Sequence, residues 1–372
     1  MIRASNKGQQ PRRAALLVLC LVLPAWMLFA DQHAARAERP AIRHERVFGR
    51  EVKTGDYKHP SCIEELANGD LYLAYYGGEG EYAQETKVYG SRLAQGKDRW
   101  TDPVVIASNP IHSLGNPVIW QAPDGLVWFF FVTRFGETWT SSRIAGKISR
   151  DGCQTWSDTF MVTLDEGTMV RGQPILLSNG DALLPIYRET GDDTEQTGAD
   201  STSQFLRKKA GEWTWKPSGE IRSDRGNLQP AVVQVSDDHL IAFCRRAGDY
   251  LPTTRGWIVR GDSHDGGHTW SHGVDTEFPN PNAAIELIRL RNGHLLLVYN
   301  DSMVDRTPLT AAISTDGGKT FPHRRNVAEG PNDYGYPTAI ELKDGTLCVA
   351  YTSDERTVVN VARFPEAAIL AP

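Results

Sequence analysis

Six short polar segments recur along the chain, each a few residues ahead of an apolar run: Lys58-His59-Pro60, Asn116-Pro117, Gln173-Pro174, Gln229-Pro230, Asn282 and Tyr334-Gly335-Tyr336-Pro337. An ammonium, an imidazole, four carboxamides and a phenol brought to one place would bind a polar ligand through hydrogen bonds and charge. His59 and Tyr336 could also move protons. Taken singly, each is a polar residue before a turn or proline, as strand starts commonly carry. Six at a regular spacing argue for one shared site. Arg171, Arg188, Glu189 and Arg246 lie near the same strand starts or ends and are further contact candidates.

The elements that must position these residues are hairpins. Apolar strands flank a tight turn in residues 63–75, 118–131, 175–187, 232–243, 285–299 and 339–351. The turns begin at positions 68, 124, 179, 237, 292 and 344, a period of 52 to 58 residues. Asn-Gly and Asp-Gly between apolar runs predict two-residue type I′ turns, whose central residues both need φ > 0. A repeat of this length, each unit able to supply four antiparallel strands, predicts an all-β six-bladed β-propeller, a ring that protects its sheet edges. The last unit is too short for four strands, so residues 45–52 are expected to complete it as an N-terminal strand that closes the ring.

A second motif follows the turns. Ser149 to Trp156, Ser263 to Trp270 and Ser314 to Phe321 fit Ser-x-Asp-x-Gly-x-x-Trp/Phe, with degenerate copies at residues 91–100 and around Gly211-Glu212-Trp213. The pattern resembles the Asp-box of the sialidase (neuraminidase) superfamily of BNR-repeat propellers. In that family the box is a turn between outer strands, which implies that Asp151, Asp265 and Asp316 are structural and that Trp156 and Trp270 pack blades.

The resemblance also implies a site. A family tyrosine eight residues before the last blade's Asp-Gly turn is the nucleophile, and Tyr336 stands eight before Asp344. Arg245 and Arg306 match two arginines that clamp the substrate carboxylate. The family's first arginine is here Lys58, and the glutamate that activates the tyrosine is here Gln229. The acid/base residue belongs to the loop carrying Glu81 and Glu85. Its chemistry suits a sugar with a carboxylate at its anomeric carbon, because arginines pair bidentately with the acid and a neutral phenol attacks where a carboxylate nucleophile would be repelled. Gln229 cannot take the phenol's proton unless an acid from another blade, such as Glu189 or Glu286, reaches in.

Three readings follow. The first is a sialidase-like exo-glycosidase releasing sialic acid or another acidic sugar, with Tyr336 as nucleophile, Glu81 or Glu85 as acid/base and Arg245 and Arg306 on the carboxylate. Lys58, His59, Asn116, Gln173, Gln229, Asn282 and Arg246 surround it. The second is a uronate-type polysaccharide lyase, with Arg245 and Gln229 or Asn116 neutralising the carboxylate and His59 and Tyr336 moving protons. The third is a non-catalytic glycan-binding propeller.

Composition sets the frame: 372 residues, 40% hydrophobic and 23% charged, with a net charge of −6 and no long basic run. That describes a globular chain without a nucleic-acid footprint. Lys7, Arg12 and Arg13 precede an apolar stretch, residues 14–30, and Ala35-Arg36-Ala37 is an A-x-A cleavage pattern. Residues 1–37 therefore read as a leader, with cleavage after Ala30 or retention as a signal anchor as alternatives. Residues 38–372 read as an exported propeller, periplasmic or extracellular, with no membrane span. Cys62, Cys153, Cys244 and Cys348 would remain after export; their number permits disulfides, but strand positions favour buried free thiols. No spacing suggests a metal or cofactor.

Overall fold

The computed structural model describes residues 39–370 apart from Asp193 and Glu195. The expected leader and its cleavage site lie outside them. No helix among the described residues is long and apolar enough to cross a membrane.

Among the described residues the strands form five sheets of four, one of five and a two-stranded ribbon; the blades run outward in sequence order except that the last takes its outermost strand from the N-terminal side. The innermost strands are Tyr57–Glu65, Ser113–Gln121, the pair Thr168–Val170 and Ile175–Leu176, Asn227–Gln234, Glu286–Arg289 and Gly335–Glu341. Neighbouring blades touch through their inner strands and the sixth returns to the first, giving six blades around one axis. The last sheet is completed by Arg43–Phe48, antiparallel to Val358–Pro365, so the closing strand forms slightly ahead of the expected residues. Apolar faces pack between blades; Phe243, Phe278, Tyr299 and Phe321, for example, fill the space between the fourth and fifth. Among the described residues regular helix is confined to Ala367–Leu370 and one 3-10 turn, Trp139–Ser141.

The hairpin turns differ from expectation. Gly69, Gly125, Gly180, Gly293 and Gly345 have φ of 85 to 90°, but the Asn or Asp before each does not take a positive φ. Gly69 N donates to Leu66 O and Leu66 N to Asp70 O. That is a type I turn followed by a left-handed residue, in which only the glycine carries the unusual backbone. Asn68 is freed to accept the Asp70 amide through its side chain.

The Asp-boxes lie on the exposed periphery. Asp265 accepts bonds from Ser263 Oγ, the His268 and Thr269 amides and Thr269 Oγ1; Asp151 and Asp316 repeat the pattern. In the third blade the box aromatic is Trp215, which is buried, whereas Trp213 is exposed; the motif there extends two residues beyond the segment read from sequence. Each complete box also ties two blades, because the Gly152, Gly266 and Gly318 carbonyls accept from Arg92, Arg207 and Arg260 of the preceding blade. All four described cysteines are free and buried, their thiols pushed up to about 12 by burial.

The feature that positions the site is a slip at the start of the inner strands. Register shifts fall between Lys58 and Ser61, Gly115 and Val118, Leu228 and Ala231, and Gly335 and Thr338. At or beside these points Asn116, Gln229 and Tyr336 adopt φ of 42, 51 and 53°, and Asn282 at the fifth blade adopts 58°. Left-handed backbone costs a non-glycine residue about 1–3 kcal/mol and persists where surroundings over-determine it. A bulge re-aims a side chain, and these four carry polar groups that meet at one end of the axis. In the third blade, Arg171 and Gln173 interrupt the inner strand. Gly172 between them allows close approach, since a Cβ there would lie 2.8 Å from Pro185 Cγ and 2.9 Å from Pro230 O.

Asp265→Ala is expected to lower stability by about 1–2 kcal/mol through loss of the box bonds, read as a lower denaturation midpoint with ligand affinity at the axis unchanged. Loss of ligand binding at unchanged stability would contradict a structural role.

Candidate active site

Tyr336 and Arg245 form the centre. Arg245 is 2% exposed and uses its whole guanidinium: Nε donates to Asn282 Oδ1 at 2.6 Å, Nη1 to Tyr336 OH at 2.7 Å and Gln229 Oε1 at 3.0 Å, and Nη2 to Tyr250 OH at 3.0 Å. Its partners are themselves held. Asn282 Nδ2 donates to the Gly248 and Asp249 carbonyls, and Gln229 Nε2 and Asn116 Nδ2 both donate to Tyr187 OH, at 3.3 and 3.1 Å. Tyr250 follows a ribbon in which Gly248–Asp249 pairs with Gln196–Thr197, joining loops of the third and fourth blades.

Positive charge is concentrated around the phenol. The guanidinium carbons of Arg306, Arg171 and Arg245 stand 5.4, 5.6 and 5.9 Å from the Tyr336 ring centre. Arg306 Nη1 and Arg171 Nε are buried without a hydrogen-bond partner. Arg356 approaches from the turn of the last blade, where Asp354, Glu355 and Arg356 all take left-handed backbone. Its Nη1 meets Glu81 Oε2 at 2.5 Å and Tyr57 OH at 3.3 Å. Trp139 Nε1 donates to the other Glu81 oxygen at 3.3 Å. Burial opposes ionisation of Tyr336, but Arg245, Arg306 and Arg356 outweigh it and hold the phenol below its ordinary value. His59 packs edge-on to Tyr336 at 4.1 Å, its Nδ1 2.6 Å from Thr352 Oγ1. Burial, reinforced by the arginines, pushes His59 well below the ordinary imidazole value, leaving it neutral. Glu189 shows the opposite response: burial, eased by Arg245 and strengthened by Glu81, raises it to about 7.

The sequence candidates divide accordingly. Tyr336, Arg245, Arg306, His59, Gln229, Asn282 and Glu81 share this pocket, with Asn116 reaching it through Tyr187. Lys58 does not. Its Nζ bonds Gly55 O at 2.5 Å and its charged neighbours are Asp56, Glu51, Arg50 and Arg46. The bulge after Lys58 gives the axial direction to His59 instead, and a strand shifted by one residue turns its side chain to the other face. Glu85 accepts the Glu79 amide within its own loop, and Arg246 alternates away from Arg245 to the Asn280 and Ala247 carbonyls. Gln173 lies deeper on the axis, donating to the Ile63 and Ile119 carbonyls and Glu64. Glu286 belongs to that deeper region too. Arg356 and Tyr250 escaped the sequence reading; they sit in irregular turns, where the repeat fixes no register.

Residues 69–349 match the model of the BNR repeat-like domain. No curated protein is a significant match to the chain. Among solved structures, a Hadza microbial sialidase, Hz136, is 18% identical with a TM-score of 0.71, covering 85% of this chain and 67% of that one. The NanB sialidase from Streptococcus pneumoniae is 12% identical with a TM-score of 0.71, covering 87% and 71%. An α-L-arabinanase from Penicillium chrysogenum, complexed with arabinobiose, is 15% identical with a TM-score of 0.58, covering 88% and 99%. At these identities the likeness shows the fold, one shared by glycoside hydrolases of different sugar preference.

A spectroscopic titration is expected to show one phenol ionising below the ordinary tyrosine value near 10, and that phase is expected to vanish in Tyr336→Phe. Titration curves identical in wild type and variant would contradict the arginine field around this phenol.

Proposed function

This chain belongs to the BNR repeat-like domain family, and from that premise we propose that it is an exo-glycosidase releasing an acidic sugar of the sialic acid type. The observation that carries the reading is the cluster of Arg245, Arg306 and Arg356 around Tyr336, with buried guanidinium donors left unused at Arg306. A carboxylate on the anomeric carbon would take those donors in charge-assisted bonds and place that carbon beside the phenol.

The departures from the family pattern then have a physical answer. Gln229 cannot act as a base, but the arginines lower the phenol directly, the second way in which a nucleophile is activated. Lys58 is turned away, and Arg356 brings a planar guanidinium to the pocket from another blade. Tyr336, its proton lost to solvent, attacks the anomeric carbon through the phenolate oxygen as the glycosidic bond breaks and the leaving oxygen takes a proton; water later displaces the phenolate with retention, giving its proton to the carboxylate that protonated the leaving group. Proton delivery to the leaving oxygen falls to a carboxyl of the pocket, Glu81 or Glu189. Glu81 is ion-paired with Arg356, so Glu189, raised to about 7, is the one that carries a proton near neutrality. Burial thus keeps Glu189 available as the acid, while Glu81 stays bound to Arg356.

One observation favours a second reading: neutral His59 lies 4.1 Å from Tyr336 across the first and sixth blades, a base and an acid suited to β-elimination from a uronate. Export in the company of such glycans, after loss of residues 1–37, fits either chemistry.

Incubation with α-sialosides and with uronate-containing oligosaccharides separates these readings. The expected result is free acidic sugar, turnover that declines as pH rises through about 7, loss of that decline in Glu189→Gln, and at least about a thousandfold loss in Tyr336→Phe. An unsaturated uronide would establish the lyase reading, and no product with intact binding would show a lectin-like propeller.

A further inference from the structure

The opposite end of the axis holds a second cavity, of about 520 Å³, whose walls include Ile175, Val233, Ile288, Leu290 and Ile340. Glu286 lines it, is 5% exposed, and has one carboxylate oxygen, Oε2, buried without a hydrogen-bond partner. Its other oxygen accepts the Leu287 amide at 3.2 Å. Beside it Gln173 also lines the cavity, and its Nε2 donates to Glu64 Oε2 at 2.7 Å, which places a second carboxyl directly behind the wall. Arg171 separates this cavity from the Tyr336 pocket, with its Nη groups spent on Thr338 Oγ1 and Pro337 O.

A buried carboxylate oxygen without a partner is costly unless a ligand supplies one. With both carboxyls ionised, Glu64, Glu286 and Arg171 sum to one negative charge, which a single cation would neutralise. The walls are aliphatic and Leu176 is 51% exposed beside them, so the complement to the acidic floor is an apolar stem. Among the described residues no group of three His, Cys, Asp or Glu has metal-ligating geometry.

We propose that this lower axial cavity is a second binding site, independent of the Tyr336 pocket, that takes an aliphatic primary ammonium, with the ammonium on Glu286 Oε2 and the alkyl chain along the walls. Burial, eased by Arg171 and by the Leu287 and Ala339 amides, holds Glu286 at about 7; burial, eased by the Gln121 amide, Gln173 and Lys343 and strengthened by Glu65, holds Glu64 at about 8. The rim charges Arg289, Arg291 and Glu341 line the same opening, with Arg291 paired to Glu341. Both carboxyls are therefore largely protonated in the empty site below about 7, and a bound cation must displace a proton.

The test is calorimetric titration of n-butylammonium chloride into the full protein at pH 6 and pH 8, in two buffers of different ionisation enthalpy, with n-butanol as the neutral control. The expected result is saturable binding, several-fold tighter at pH 8 because fewer protons need to be displaced, with measurable proton release at pH 6. Glu286→Gln, which preserves shape, is expected to weaken butylammonium binding at least about tenfold while leaving processing of the acidic sugar unchanged. Equal binding of butylammonium and butanol, equal binding to wild type and Glu286→Gln, or no saturable binding at pH 8 would each overturn the proposal. Failure here leaves the reading of the Tyr336 pocket standing, because the probe carries no carboxylate for the arginines and Glu286 makes no hydrogen bond to Tyr336, Arg245 or Arg306.

Discussion

The structure turns on positive charge buried without enough negative charge to match it. Arg171, Arg245, Arg306 and Arg356 surround one phenol, and the carboxyls within reach of the last three are Glu81, already paired with Arg356, and Glu189, which keeps its proton to about neutrality. Isolated buried charge costs several kcal/mol per ion even after relaxation. The arginines persist because each is wired to neutral acceptors, Arg245 most completely, through Asn282, Gln229, Tyr336 and Tyr250. What remains unmet is Arg306 Nη1 and Arg171 Nε.

Holding that charge requires a scaffold stiff enough to resist collapse or exchange of partners. Six closed blades supply it, with boxes pinned to neighbouring blades by Arg92, Arg207 and Arg260 at the rim and bulged strand starts at the centre. The left-handed residues Asn116, Gln229, Asn282 and Tyr336 tolerate their strain because each polar side chain is fixed at its far end. Strain in the backbone and order in the hydrogen bonds are thus two aspects of one arrangement. Between Tyr336 and the lower cavity stands Arg171, touching the site on one side and balancing Glu286 on the other.

The sequence made the fold readable because a 52–58 residue period leaves few architectures open. Tyr336, Arg245 and Arg306 were equally legible, since each lies at a fixed distance from a turn or box that the repeat locates. Lys58 and His59 show the limit of that reasoning: they differ by one residue, and a bulge invisible in sequence decides which faces the axis. Arg356 was hidden for a different reason. It occupies the turn between the second and third strands of its blade, where three consecutive left-handed residues aim it inward and no periodicity marks it. The turns themselves were misassigned in detail because Asn-Gly serves both a type I′ hairpin and a type I turn with a glycine bulge.

The central claim is that this pocket recognises a carboxylate on the reacting end of a sugar. Affinity of wild-type protein for an acidic sugar and for its uncharged amide, measured under the same conditions, tests it most directly. A charge-assisted bidentate contact of about 1.5–3 kcal/mol predicts that the amide binds at least about tenfold more weakly. Equal affinities for acid and amide would contradict the account.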